Sequence, residues 1–513
     1  MGSRQTTRPE PVWQGKLMVN APQAGRGESK TARRAWAIRV FLTCWVLYTV
    51  SWTPWIVREH FPAITLAESG QLDVARYRDW TEDIFSGPHG GAYINNNPGA
   101  SLAGAVPLLL LRPILARVDA WNQQLPRHIP QNPDDPILLR MAAEGRTFYF
   151  LLVAFVTVAL LMAPATAFAI ALLCKRMIEA GIPASHSASV SLLCGLATPL
   201  IFRTGHLNHN LLAGDAGLIA LLLLWDPADK PLSPTRAASA GLLAGYAVLC
   251  DYSGVVIVAV TALYVGLRSS GDSPARWKCV AAYLAGLVPG IAGLFLYQQW
   301  AFGSFYHPSQ QYMTPTAPTA HGYRGFTWPS PALLWVNFFD PRFGLFPYCP
   351  ALLLAVLAPF AKQAGQRMPS REMRLIAVYC SLFIVFCAAN QYSWLQPSTG
   401  FRYLVPIVPV LALAAIQGTQ LLPRILQWGI AIASLAWSLV LAAAHENDVR
   451  LAVQTLWSRR FALPWMIRLR AAGVPVSWEW VLATYLITAL AIVTIWAGPV
   501  LRRRRGGRVG ELP

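Results

Sequence analysis

The chain has 513 residues, 55% of them hydrophobic and 13% charged, with a mean hydropathy of +0.40. A soluble domain carries about a quarter charged residues, so the composition excludes an ordinary soluble enzyme and fits a polytopic membrane protein. The formal charge of +18 comes from 42 basic against 24 acidic residues, and the basic ones flank apolar runs instead of forming a stripe, which excludes a nucleic-acid binder. The eight cysteines are scattered through apolar runs, so neither a disulfide framework nor a Cys-based zinc site is expected.

In chain order, residues 1–35 are polar and rich in Gly, Pro and Arg, the composition of a disordered cytosolic tail. The first apolar run, 38–57, lies too far into the chain for a cleavable signal peptide and reads as a spanning anchor with Arg33, Arg34 and Arg39 on its inner flank. Eleven more spans are expected at 147–174, 184–203, 207–225, 237–250, 252–267, 279–298, 344–361, 374–390, 402–420, 425–444 and 479–500. The result is an all-α bundle of about twelve transmembrane helices filling 36–500, followed by a basic tail at 501–513 that holds Arg502 to Arg505. The six lysines (Lys16, Lys30, Lys175, Lys230, Lys278 and Lys362) all fall on the inner side of this topology. Both termini are therefore expected in the cytosol and the bundle in the cytoplasmic membrane. The spans around Cys250-Asp251-Tyr252-Ser253-Gly254 are short, either two half-length helices or one kinked span.

Three external loops follow from this topology: 58–146, with 10 of the 24 acidic residues; 299–343, rich in aromatics and histidine; and 445–478, with five arginines. Residues 61–69 read as a short amphipathic helix closed by Gly70. The stretch 100–115, interrupted by Pro107 and Pro113, is expected to lie at the interface as a helix that does not span.

The chemistry-bearing residues cluster in the first loop. Glu59, in Arg58-Glu59-His60 at the membrane boundary, is placed to act as a general base or, equally, to anchor a helix end in an ion triplet. Asp73 and Asp83 are further carboxylates of the loop. Glu82-Asp83 with Glu59 has the oxygen ligands a divalent cation prefers, though no spacing is diagnostic and no cofactor is specified. Asn95-Asn96-Asn97-Pro98-Gly99 offers amide donors for a phosphate or sugar hydroxyl, with helix capping by Asn97 as the alternative. His206, His209 and Asp215, with Asp251, are ionisable groups at membrane depth, which face a polar cavity or a partner. Arg342 and Arg402 lie at outer span ends, against the charge rule. A lipid phosphate justifies such arginines; snorkelling or pairing with Asp340 does so equally. No HExxH, Walker A or GxGxxG sequence is present.

Together these features resemble the GT-C superfamily of multispan glycosyltransferases that use polyprenyl-phosphate sugars. The nearest likeness is to its bacterial branch related to protein O-mannosyltransferases and lipid A aminoarabinose transferases. The resemblance runs from about residue 38 to 420. It rests on Glu59 at the start of the first loop, Thr65 to Gly70, Tyr93 to Ser101 (YINNNPGAS), Phe302-Gly303-Ser304, Gly344-Leu345-Phe346 with Pro350, and Gly400-Phe401-Arg402-Tyr403. Many members carry Asp-Glu where this chain has Arg58-Glu59. The resemblance implies transfer of a sugar from a polyprenyl-phosphate donor to a lipid, glycan or protein acceptor on the outer membrane face. Glu59, or else Asp73 or Asp83, would be the base. Arg58, Asn97, His206, Arg342 and Arg402 would bind substrate, and arginines or a divalent cation would stabilise the departing phosphate. A transporter or flippase of a lipid-linked saccharide, using His209, Asp215 and Asp251, is the competing expectation, and a non-catalytic envelope scaffold is a third.

Overall fold

The computed structural model describes residues 30–129, 136–269, 274–313, 316–317, 320–363, 370–395, 402–446 and 448–506. The tail 1–29 and Gly400-Phe401 lie outside the described residues. The described residues are mostly helical. The α-helices are α1 (Lys30–Val50), α2 (His60–Ser69), α3 (Gly99–Leu110), α4 (Arg112–Gln123), α5 (Pro136–Ala143), α6 (Thr147–Thr157), α7 (Ala163–Glu179), α8 (Ala184–Leu196), α9 (Pro199–Thr204), α10 (His209–Leu224) and α11 (Pro234–Cys250). The remainder are α12 (Gly254–Arg268), α13 (Pro274–Phe302), α14 (Pro331–Phe338), α15 (Leu345–Tyr348), α16 (Ser370–Ala388), α17 (Val408–Thr419), α18 (Arg424–Ala444), α19 (Ala452–Ser458), α20 (Pro464–Ala471) and α21 (Trp478–Gly506). Among the described residues a single hairpin, β1 (Ile84–Ser86) with β2 (Ala92–Ile94), pairs antiparallel with Ile84 opposite Ile94.

Five continuous helical stretches are each long and apolar enough to cross a bilayer: Thr147–Glu179, Pro274–Phe302, Arg402–Thr419, Arg424–Ala444 and Trp478–Ala497. On α13 and α21 most exposed side chains away from the helix ends are themselves apolar (Val288, Leu296, Ile487 and Leu490 among them), as a lipid-facing surface requires. An all-α membrane protein is the architecture this describes. The twelve expected spans are not all of bilayer length, because His209–Leu224, Gly254–Arg268 and Pro350–Ala361 are apolar but shorter.

Several expected boundaries change. The first helix ends at Val50, so 51–57 is not part of a span. The run 184–203 breaks before Thr198, whose side chain accepts from the Leu200 amide and starts α9 with Pro199 in its first turn. Residues 344–361 form the single turn α15 and then a 3₁₀ segment, Pro350–Gln363. The interfacial stretch is two helices, α3 and α4, bent by 81° at Leu111. Around Asp251 the chain breaks into two helices, since Asp251 is extended and α12 restarts at Gly254.

Two cores carry most of the packing. The larger runs through α7, α8, α10 and α11. The smaller lies in the first loop, where Phe61 packs on Tyr77 at 4.7 Å and Trp80 on Phe150 at 5.2 Å. Its helix α2 is buried on most sides and stops at Gly70, whose φ of 73° is the left-handed conformation glycine adopts without cost. Helix α11 crosses α13 at close range. Gly241 and Gly245 on one face Gly286 and Gly290 on the other, and a Cβ at any of the four would lie 2.1–2.6 Å from the partner's backbone. Two G-x-x-x-G spacings therefore set this crossing.

Candidate functional site

A cavity of about 680 Å³ opens where the first loop meets the ends of α10 to α13. Its position follows from local signals. Asn208 caps α10 by accepting from the Leu211 amide at 2.9 Å, which sets His209 in the first turn of that helix. The end of α11 delivers Asp251, and the hairpin delivers Asn95 and Asn96. Gly99 lets α3 start directly against the last turn of α11, where a Cβ would lie only 2.7 Å from the Cys250 nitrogen.

Arg58, Asp83, Asn95, Asn96, His209, Asp251 and Arg402 line the polar end of this cavity, with Tyr252, Arg324 and Tyr403. Val255, Val258, Ile291, Leu294 and Phe295 form an apolar wall from α12 and α13. Arg58 meets Asp83 at 2.6 Å and Glu59 at 3.6 Å. Burial disfavours the Arg58 charge, but Asp83 and Glu59 outweigh it and hold the guanidinium above its ordinary value. Asn95 donates to Asp83 at 2.9 Å.

Glu59 sits behind this lining and is 2% exposed. Its Oε1 meets His209 Nδ1 at 2.6 Å and accepts from the Asn96 amide. Burial pushes the Glu59 carboxyl up, yet His209 and Arg58 overcome it and hold the group far below the usual carboxylate range. Neighbouring His60 is buried, which pushes its imidazole down to about 4 against the pull of Glu59, and it bonds Thr157 at 3.1 Å. On the far side of His209, Nε2 lies 3.5 Å from Asp251, which accepts from Asn210 at 3.2 Å and from the Ser253 amide at 2.8 Å.

The other expected site residues are elsewhere. Asp73 accepts the Ala75 and Ala92 amides at 2.9 Å each, tying the loop to the hairpin. Asn97 does not cap α3, whose N-cap is Pro98; it donates at 2.8 Å to the Val248 carbonyl, one of the orphan acceptors at the end of α11. Arg342 pairs with Asp340 at 2.9 Å, away from the cavity. His206 is buried between Trp55 and His445 with ring centroids 5.0 and 5.7 Å away. Asp215 accepts from Thr166 at 2.7 Å and does not reach the cavity. Among the described residues no group of three or more His, Cys, Asp or Glu is arranged to hold a metal ion, and Glu82 is exposed. Arg324 carried no sequence signal of its own. His209 and Asp251 stood out only as intramembrane polar groups, and their meeting with Glu59 depends on the break after Cys250.

A second charged cluster lies beneath α4. Glu68 bonds Arg76, Arg146 and the Tyr149 hydroxyl, while Arg146 also reaches Asp119 at 2.9 Å. Burial raises the Glu68 carboxyl, but Tyr149, Arg76 and Arg146 together hold it below its ordinary 4.5. A depressed folded-state value contributes stability above the unfolded value that is lost as pH falls through the folded one. Lowering the pH from about 6 to below 4.5 is thus expected to loosen this cluster first. Hydrogen exchange of residues 60–80, corrected for intrinsic rate, checks it; protection unchanged with pH contradicts the assignment.

Comparison of the chain with protein-family models, curated proteins and solved structures finds no match.

Proposed function

We propose that the protein is a GT-C-type membrane glycosyltransferase of about twelve spans that moves a sugar from a polyprenyl-phosphate donor to an acceptor at the outer face of the cytoplasmic membrane. The observation that carries this reading is the two-sided cavity. An isoprenoid fits the apolar wall of α12 and α13, and a phosphate needs cations at the junction of that wall with the polar end. Arg402 and Arg324 line the cavity, and neither has a carboxylate partner among the described residues, whereas Arg58 is committed to Asp83 and Glu59. Arg402 donates to the Tyr403 hydroxyl at 2.9 Å, and its Nε is buried without a partner among the described residues. A guanidinium held this way is available to phosphate oxygens. Asp83, Asp251, Asn95 and Asn96 supply acceptors and donors for sugar hydroxyls.

The transporter reading relied on His209, Asp215 and Asp251 acting together. Only His209 and Asp251 share the cavity, and this favours the transferase.

Membranes containing the wild-type chain are expected to transfer labelled sugar from polyprenyl-phosphate hexose or pentose donors, and membranes lacking it are not. Arg402→Gln removes the charge and is expected to raise the donor KM by roughly thirtyfold or more, the about 2 kcal/mol minimum for losing one partner of a desolvated charged contact. Wild-type membranes that transfer from none of these donors overturn the proposal. An unchanged donor KM in Arg402→Gln removes Arg402 from the phosphate site.

A further inference from the structure

Each cavity-facing carboxylate is already occupied by donors. Asp83 holds Arg58 and Asn95, and Asp251 holds Asn210 and the Ser253 amide. Glu59 is buried behind the lining with Arg58, Asn96 and His209 around it. A carboxylate stabilised as an anion from so many sides is a weak proton acceptor. The imidazole between them is different. Nδ1 lies 2.6 Å from the Glu59 carboxylate and 3.2 Å from the Asn96 amide nitrogen, and the shorter contact, to an acceptor, places the Nδ1 proton toward Glu59 and orients the ring. Nε2 is the ring nitrogen that holds the lone pair whenever the imidazole is neutral, and no hydrogen-bond donor among the described residues reaches it; its neighbour, at 3.5 Å, is a second acceptor, Asp251, which lines the cavity. A ligand hydroxyl beside Nε2 donates its one proton there, and a neighbouring hydroxyl of the same ligand can donate to Asp251.

We propose that His209 is the proton acceptor of the transfer, with Glu59 as its positioning residue and Asp251 as the group that holds the acceptor sugar or alcohol; this rests on the glycosyltransferase reading above. In the step, the acceptor oxygen forms a bond to the anomeric carbon of the donor as its proton passes to His209 Nε2. The anomeric carbon–oxygen bond to phosphate breaks, and its electron pair leaves with polyprenyl phosphate. The Nδ1 proton remains on the imidazolium, hydrogen-bonded to Glu59, whose negative charge stabilises it. The charged groups facing His209 are Glu59 and Asp251 in contact, with Arg58 and Asp83 next to them and Arg324 and Arg402 across the cavity.

The test uses His209→Ala in membranes, with sugar transfer from polyprenyl-phosphate donors as one readout. Binding of polyprenyl monophosphate, followed by quenching of intrinsic tryptophan fluorescence, is the second. Transfer is expected to fall by roughly 10²–10⁴-fold, the range for losing a general base, with monophosphate binding retained. Added imidazole is expected to restore at least about tenfold, because a small base can enter the space the side chain leaves. Transfer kept within a few-fold of wild type overturns the assignment. Transfer lost with binding intact and no recovery in imidazole also overturns it, and makes His209 a structural partner of Glu59. Wild-type membranes that transfer nothing overturn the glycosyltransferase reading itself, and this proposal with it. Failure of the variant alone leaves that reading standing.

Discussion

On the proposed glycosyltransferase reading, replacing Glu59 by Gln is expected to lower sugar transfer by roughly two to four orders of magnitude, the scale seen when a base is lost or its orienting carboxylate is neutralised. The amide keeps the shape of the side chain but changes what it presents to His209. Its NH₂ can turn toward Nδ1, and the imidazole proton then moves to Nε2, the nitrogen beside Asp251. The loss is expected in kcat with little change in donor KM, since Glu59 itself is 2% exposed and does not line the cavity. Glu59→Asp keeps the charge at a longer reach and is expected to recover part of the rate. Kinetics of the two variants in membranes check this. Equal loss in both, with KM raised, would place Glu59 in substrate binding and remove its orienting role.

Gly290→Leu is expected to force α11 and α13 apart and so destabilise the whole bundle. A Cβ on Gly290 would lie 2.2 Å from the backbone of Gly245, so the two helices must separate by about an ångström or more before any larger side chain enters. Overpacking of this kind costs about 1–3 kcal/mol and more where backbone meets backbone. Separation also displaces Val248, Ile291 and Leu294, which line the cavity. Lower thermal stability in detergent is therefore expected together with weaker polyprenyl monophosphate binding. Gly290→Ala should show the same trend at smaller size. A Gly290→Leu protein with wild-type thermal stability would contradict the close crossing.

The balance of charges around the cavity explains why the first loop is so acidic without forming a metal site among the described residues. Its carboxylates with assigned partners are divided among three tasks. Glu59 and Asp83 surround Arg58 at the mouth of the cavity, while Glu68 and Asp119 lock α2 and α4 through Arg76 and Arg146. Asp73 is spent on backbone amides of the hairpin. The carboxylates thus end up at separate places along the loop.

Much of the local structure was legible in the sequence because it is decided by neighbours along the chain. Apolar runs without charge mark the five longest spans. Gly70 marks the end of α2, since a left-handed turn needs only the residues at hand, whereas the cap at Thr198-Pro199 lies inside a run that reads as one span and went unrecognised. Glu59, Arg58, Asp83 and Arg402 stood out as candidate residues because charge beside a bilayer is costly wherever it occurs, and the structure sets Arg58, Asp83 and Arg402 around one cavity with Glu59 behind it.

Which of these residues meet was decided by the tertiary structure. Asn97 and Asn96 are adjacent in the same turn, yet one caps α11 and the other faces Glu59. His206 and His209 are three residues apart, yet the Asn208 cap falls between them and sends them to different places. Contacts such as Glu59 with His209 and Arg58 with Asp83 join segments far apart in the chain, and no periodicity encodes them. They depend on the break at Asp251, the glycine crossing of α11 and α13, and the close seat of Gly99, where backbones approach within distances that only packing in three dimensions can impose.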